Sequence, residues 1–191
     1  MGRGLALRWA LKHQIYVGSR SLEKALAAAG EYNCIARGFY GDKMSGSIIG
    51  ALNGDAVSSS DIIVLTIPAE HTLDTLRQIK NRFRLDHTVV STIAPMIREG
   101  RLFKYTPILP GGSDSPEASA AERIAEELHP LPVVSAFQTV PASYLADLDS
   151  TLNIDVFVCG DDKNALKFIS QLIRDIPNLR PLHVGPLPYS R

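Results

Sequence analysis

Cysteine is scarce in this chain. Cys34 and Cys159 stand alone, without the Cys-x-x-Cys spacing of a zinc site or redox pair and without the number a disulfide framework needs. That scarcity suits a reducing compartment, and a cytoplasmic protein is expected. An excess of either charge is lacking too: 20 basic residues balance 20 acidic ones. The balance argues against a nucleic-acid surface or a polybasic membrane patch and leaves small molecules as the expected partners. No apolar run approaches the roughly 18 residues of a membrane span, and the N-terminal residues lack the apolar core of a signal peptide. The five histidines share no ligand spacing, so no metal site is expected. What the chain does have is apolar content: 45% of 191 residues, enough for one sizeable core, so a single domain over residues 1–191 is expected.

Short β-branched runs alternate with helical patterns, the signature of βαβ units around a parallel sheet. The pattern predicts strands over 15–18, 47–52, 62–67, 88–92, 133–136, 156–159 and 181–184, and helices over 5–11, 21–32, 70–83, 119–128 and 163–174. The fold class expected is therefore α/β, doubly wound and mostly parallel. Residues 33–47 and 106–117, rich in glycine or proline among polar residues, read as surface loops without chemistry of their own.

The apolar run Ile15-Tyr16-Val17 ends in Gly18-Ser19-Arg20, with Lys24 four residues on, at the start of a helical pattern. In a dinucleotide fold the end of the second strand meets the adenosine ribose. An acidic residue there accepts from a free 2′-hydroxyl, whereas an arginine accommodates a 2′-phosphate. A hydroxyl and two cations at that place favour NADP over NAD, against the plainer reading of a solvated Arg and Lys opening a surface helix. Upstream, Met1-Gly2-Arg3-Gly4 runs into the amphipathic Leu5 to Ala10 and then the strand, the second half of a βαβ unit. The opening glycines of a Gly-x-Gly-x-x-Gly loop are absent, and Gly2 can only be its last glycine.

Two other strand ends draw attention. Thr66-Ile67-Pro68 closes a predicted strand with a fixed turn, and ligands in open α/β sheets bind outside such ends. His71 follows, but its only nearby carboxylate on the helix face is Asp74, and a surface histidine is the expected outcome. Ser135 to Ala142 leaves another strand and turns at Pro141. Asp161 and Asp162 precede a helix and read as capping residues rather than an acid and base, and Cys159 as an inert buried thiol.

Read together and in order, several stretches resemble a known family, the archaeal-type NADP reductases that use the deazaflavin coenzyme F420. They are Gly4 to Arg8, Val17 to Arg20, Glu23 to Ala25, Asp61 to Pro68, Val133 to Ala136, Val140 to Ala142, Val158 to Asp162 and Gly185 to Leu187. The resemblance implies a Rossmann-like NADP-binding fold lacking its first strand and phosphate loop at the start and a helical tail after Arg191. It implies reversible hydride transfer between the reduced deazaflavin and NADP, in a homodimer. Ser19, Arg20 and Lys24 would hold the 2′-phosphate and Gly2 would approach the pyrophosphate. Pro68, Ala69, Leu73 and Ala142 would line the nicotinamide side, and Ala94, within Thr92 to Met96, would border the deazaflavin. Gln138 stands where some relatives have a histidine. The residues show no convincing acid, base or nucleophile, which fits direct exchange between two ring cofactors. A non-catalytic NADP-binding module and an NADP-dependent reductase of a small carbonyl or imine are the alternatives.

Overall fold

The computed structural model describes residues 1–105 and 118–190, so the expected loop at 106–117 lies outside the described residues. The chain opens with α1 (Gly2–Trp9), which buries Leu5, Leu7 and Trp9. It continues into β1 (Gln14–Ser19) and α2 (Leu22–Tyr40). Ser21 caps α2, its Oγ accepting from the Lys24 N–H at 3.4 Å.

Here one expectation fails: the helix does not stop near Tyr32, and the loop expected over 33–47 is helical as far as Tyr40. Asn33 explains why. Its side-chain amide donates to the Ile48 carbonyl and its Oδ1 accepts from the Ile48 N–H at 3.1 Å, while Ala29 and Ala36 pack against Ile48. That packing outweighs the cost of about 1 kcal/mol for Gly38 inside a helix.

Then come β2 (Ser47–Leu52), α3 (Asn53–Ser58), β3 (Ile62–Leu65), α4 (Thr72–Ile79) and β4 (Thr88–Ser91). A hairpin the pattern did not predict follows, β5 (Met96–Glu99) paired antiparallel with β6 (Leu102–Tyr105). After residue 117 the order is α5 (Ala120–Leu128), β7 (Val133–Ala136), α6 (Ala142–Ala146), β8 (Ile154–Gly160), α7 (Lys163–Arg174) and β9 (Leu179–Gly185). Ser119 and Glu122 form a full capping box on α5, and Asp162 caps α7 by accepting from the Ala165 N–H at 2.8 Å. That is the structural role expected of Asp162.

The parallel pairs are β1–β2, β3–β4, β4–β7 and β8–β9, whereas β7–β8 is antiparallel. They form a two-stranded sheet β2-β1 and a five-stranded sheet β3-β4-β7-β8-β9, and no ladder joins β1 to β3. Helices cover both faces. Leu5 and Trp9 of α1, Leu145 of α6 and Ile169 and Ile173 of α7 pack on one face; Leu73 and Leu76 of α4 and Ile124 and Leu128 of α5 pack on the other. The carboxyl ends of β1, β3, β4 and β7 share one rim, and that rim carries the candidate site.

Candidate functional site

The turn after β1 is built by hydroxyls. Ser19 Oγ accepts from the Ser21 N–H at 3.2 Å, and Ser21 in turn caps α2. This pins Arg20 between two fixed residues with its side chain exposed, and Lys24 lies one turn into α2, also exposed. Neither cation is engaged in an ion pair among the described residues, in contrast to Arg3, which pairs with Glu31 at 3.4 Å and lies over the Tyr32 ring. Among the described residues the Ser19 O–H donates to no partner, which leaves it available as a donor. The three residues expected to read a phosphate therefore stand together on one short turn.

The N-terminus of α1 arrives at the same rim. Met1 makes no side-chain cap, so the first N–H groups of the helix are unsatisfied and carry the positive end of its dipole. Gly2 is needed here for space. A Cβ on it would lie 2.7 Å from Thr66 Oγ1, at the end of β3. Gly18 is equally tight, for a Cβ would lie 2.9 Å from Asn53 Oδ1. At both positions the backbone packs directly against a neighbouring side chain, which a larger residue would have to displace.

Asn53, the first residue of α3, was not singled out in the sequence. Its place over β1 follows from the short β2–α3 connection, and no local motif announces it. Arg8 was noted only as part of a family stretch, yet it organises the site's far wall. It is buried, its Nε donates to the Leu145 carbonyl at 2.9 Å, and one terminal nitrogen reaches the carbonyls of Tyr144, Asp147 and Ser150. Burial lowers its pKa, partly offset by the nearby Tyr40 and Asp147. An arginine at that spacing on an apolar helix looks like any snorkelling side chain until α6 is seen against α1.

The residues expected on the nicotinamide and deazaflavin sides are placed as follows. Pro68 turns the chain after β3, and its carbonyl accepts from the Thr72 Oγ1 at 3.1 Å and the His71 N–H at 3.0 Å. Ala69 opens the short 3-10 turn that follows. Leu73 is buried in the core beneath that turn, 2% exposed, so it supports the surface rather than forming it. Thr92 clamps back onto the Leu65 carbonyl through its Oγ1 at 2.9 Å, with Ala94 exposed beyond it. Just past β7, Phe137 adopts a φ of 72°, rare for a bulky residue, and stacks edge-on against Trp9 at 5.7 Å. Gln138 donates to the Ser91 carbonyl at 3.0 Å and to Ser135 Oγ, tying the ends of β4 and β7 together. Ala142 then begins α6, exposed at the rim.

His71 is exposed on the turn after β3. Cys159 is buried, and burial raises its pKa, so it has the inert character expected of it. No helix among the described residues is long and apolar enough to cross a membrane, and none of their His, Cys, Asp and Glu side chains group as a metal site. The rim offers cations, hydroxyls and the free N–H groups at the start of α1.

Comparison with known proteins matches residues 1–95 to a family described as NADP oxidoreductase, coenzyme F420-dependent. The chain is 37% identical over 192 residues to the F420-dependent NADP reductase of Methanocaldococcus jannaschii, covering 100% of this chain and 81% of that protein. It is 32% identical over 195 residues to the F420-dependent NADP reductase of Methanothermobacter thermautotrophicus, covering 100% and 78%. Among solved structures, one from Arthrobacter sp. FB24 superposes with a TM-score of 0.75 at 19% identity, over 100% of this chain and 82% of that one. That last likeness establishes the Rossmann-like α/β fold alone.

Proposed function

The chain belongs to the coenzyme F420-dependent NADP oxidoreductases, an enzyme family that transfers hydride between F420 and NADP, and from that membership we propose how its own residues serve the reaction. The observation that carries the proposal is the turn after β1, where the Ser19 and Ser21 hydroxyls fix the backbone and Arg20 and Lys24 stand exposed and free of ion pairs among the described residues.

The residues fit the nucleotide. Arg20 provides a planar fork for the 2′-phosphate, Lys24 a point charge, and Ser19 a hydroxyl donor. The uncapped start of α1, where Gly2 packs against Thr66, supplies N–H groups and a positive dipole end for the pyrophosphate. Pro68, Ala69 and Ala142 line the nicotinamide side with small apolar surface, backed by Leu73. Ala94 borders the deazaflavin from the end of β4. When bound, the two ring systems supply the donor and acceptor carbons of the hydride, so the protein's part is to hold them face to face and keep water out.

A titration and a label-transfer assay test this. The chain should bind NADP at least tenfold more tightly than NAD, and deuterium from labelled reduced deazaflavin should appear in the nicotinamide product. Equal affinity for the two nucleotides would remove the phosphate pocket. Nucleotide binding without label transfer would remove the assignment of Ala94 and Ala142 to the reacting faces.

We read residues 1–191 as one NADP-binding domain, cytoplasmic, acting on small redox cofactors without a nucleic-acid partner. A homodimer is supported by the exposed cross-strand pair Phe157 and Leu182 on β8 and β9. Sedimentation of the chain and of its Phe157→Lys variant tests the dimer, which only the parent should form.

A further inference from the structure

The solvent side of α2 is apolar, although a helix covering a sheet normally turns polar residues outward. Leu22 is 47% and Leu26 54% exposed. Gly30, Cys34 and Gly38 continue the same i, i+4 row, with Ala27 beside it, and all four are exposed. No neighbour inside the chain requires the two glycines. Both lie within the helix, and a Cβ on either would meet nothing within 4 Å. Each therefore costs about 1 kcal/mol of helix stability against alanine and leaves room for close approach from outside.

Two charges frame this row. Glu23 and Arg37 are exposed at its two ends, and neither forms an ion pair among the described residues. Glu23 stands seven residues before Gly30 and Arg37 seven after it; Leu26 and Cys34 stand four to either side, Leu22 and Gly38 eight. Laid antiparallel on a copy of itself about a two-fold axis at Gly30, the helix sets each Glu23 level with the other copy's Arg37. Each leucine then falls level with a small residue, and glycine lies on glycine. A parallel pairing would set Glu23 on Glu23 and Arg37 on Arg37.

We propose that the outer face of α2 docks a second copy of this chain, antiparallel helix on helix, with two Glu23–Arg37 pairs fixing the register. Charge complementarity identifies the occupant. In a two-fold contact each residue meets its counterpart twice, and an acid, a base, two leucines and their small partners all share the midpoint such a contact needs. An unrelated partner would require no such symmetry within one helix. One helix face is a small interface, so pairing belongs in the range of about 10–100 μM. α2 packs on β1 and β2, whereas Phe157 and Leu182 lie on the other sheet, so the two contacts share no residue. The α2 contact holds whatever the rim binds.

The test uses the full chain carrying Phe157→Lys, which removes the β8–β9 face and leaves α2 as it is. Sedimentation should give a monomer at low micromolar concentration and a dimer at several hundred micromolar. Cys34 is the exposed thiol and Cys159 the buried one, so alkylation by iodoacetamide reads Cys34 and should slow several-fold at the higher concentration. Glu23→Arg sets cation on cation and should weaken pairing about tenfold or more. Adding Arg37→Glu should restore it, a recovery that damage to the helix could not produce. Gly30→Cys with Cys34→Ser should cross-link under oxidised glutathione, because the two new thiols meet at the axis. The native Cys34 pair lies about 12 Å apart along the helices, beyond disulfide reach, and should not cross-link. A monomer at every concentration would overturn the proposal. So would a double charge variant that fails to pair, or cross-linking through Cys34 and not through position 30.

Discussion

Replacing Arg20 with alanine isolates the phosphate-reading step from the rest of nucleotide binding. The side chain is exposed and free of ion pairs among the described residues, so its removal breaks no internal contact and leaves no buried group unpaired. What is lost is a charge-assisted hydrogen bond, worth about 1.5–3 kcal/mol. Coulomb attraction at ~4 Å brackets the same range, from about 1 kcal/mol in water to about 4 kcal/mol near a protein surface. Exposure favours the lower half, and Lys24, one turn away on α2, retains part of the attraction. NADP should therefore bind roughly ten- to a hundredfold more weakly, while NAD, which lacks the phosphate, should change by no more than about twofold. Calorimetric titration of both nucleotides against both proteins reads this directly. Ionic strength supplies a second axis. Going from about 0.01 M to about 1 M salt shortens the screening length from roughly 30 to 3 Å, so NADP affinity should fall more steeply for the parent than for Arg20→Ala. Equal losses for NADP and NAD, or identical salt slopes, would show that Arg20 does not read the phosphate.

Other perturbations probe the scaffold around the rim. Gly2→Val forces a side chain against Thr66 Oγ1 and should weaken NADP and NAD by the same factor, tenfold or more, because both share the pyrophosphate; a loss confined to NADP would refute its placement. Arg8→Met strips the donor from four carbonyls of the α6 segment and should cost about 3–5 kcal/mol. That lowers the thermal midpoint by roughly 6–20 °C, and Arg8→Lys should recover only a minor part, since an ammonium cannot fork. A drop of a degree or two would show that the carbonyls find other partners. Burial, with the nearby Arg84 charge, lowers the His87 pKa below 6.5. The unfolded chain then takes up its proton first as pH falls, so the stabilisation is fully present above about pH 6.5 and is lost progressively below it. His87→Phe should flatten the fall of unfolding midpoint between roughly pH 7 and 5; parallel curves for parent and variant would refute the assignment.

Much of the fold was legible because its signals are local. The β-branched runs at 15–18, 133–136 and 156–159 become strands of the central sheets, and the Ser21, Ser119 and Asp162 caps start helices where side-chain oxygens meet free N–H groups. The length of α2 was not legible, because what carries it past Gly38 is Asn33 reaching Ile48, fifteen residues away. The β5–β6 hairpin escaped because Met96 to Tyr105 carries charges at Arg98, Glu99 and Lys104 where a buried strand would carry apolar residues.

The sequence by itself determined the fold class and the family, and it placed Ser19, Arg20 and Lys24 on one short turn whose geometry is written within six residues. Tertiary structure alone decided what faces what. It brought Gly2 against Thr66, set Asn53 over Gly18 and buried Arg8 among the carbonyls of α6. The physical reason is range: caps, turns and hydrophobic period are fixed by neighbours a few residues apart, whereas close approach, burial and strand order follow from packing segments that the chain separates by tens of residues.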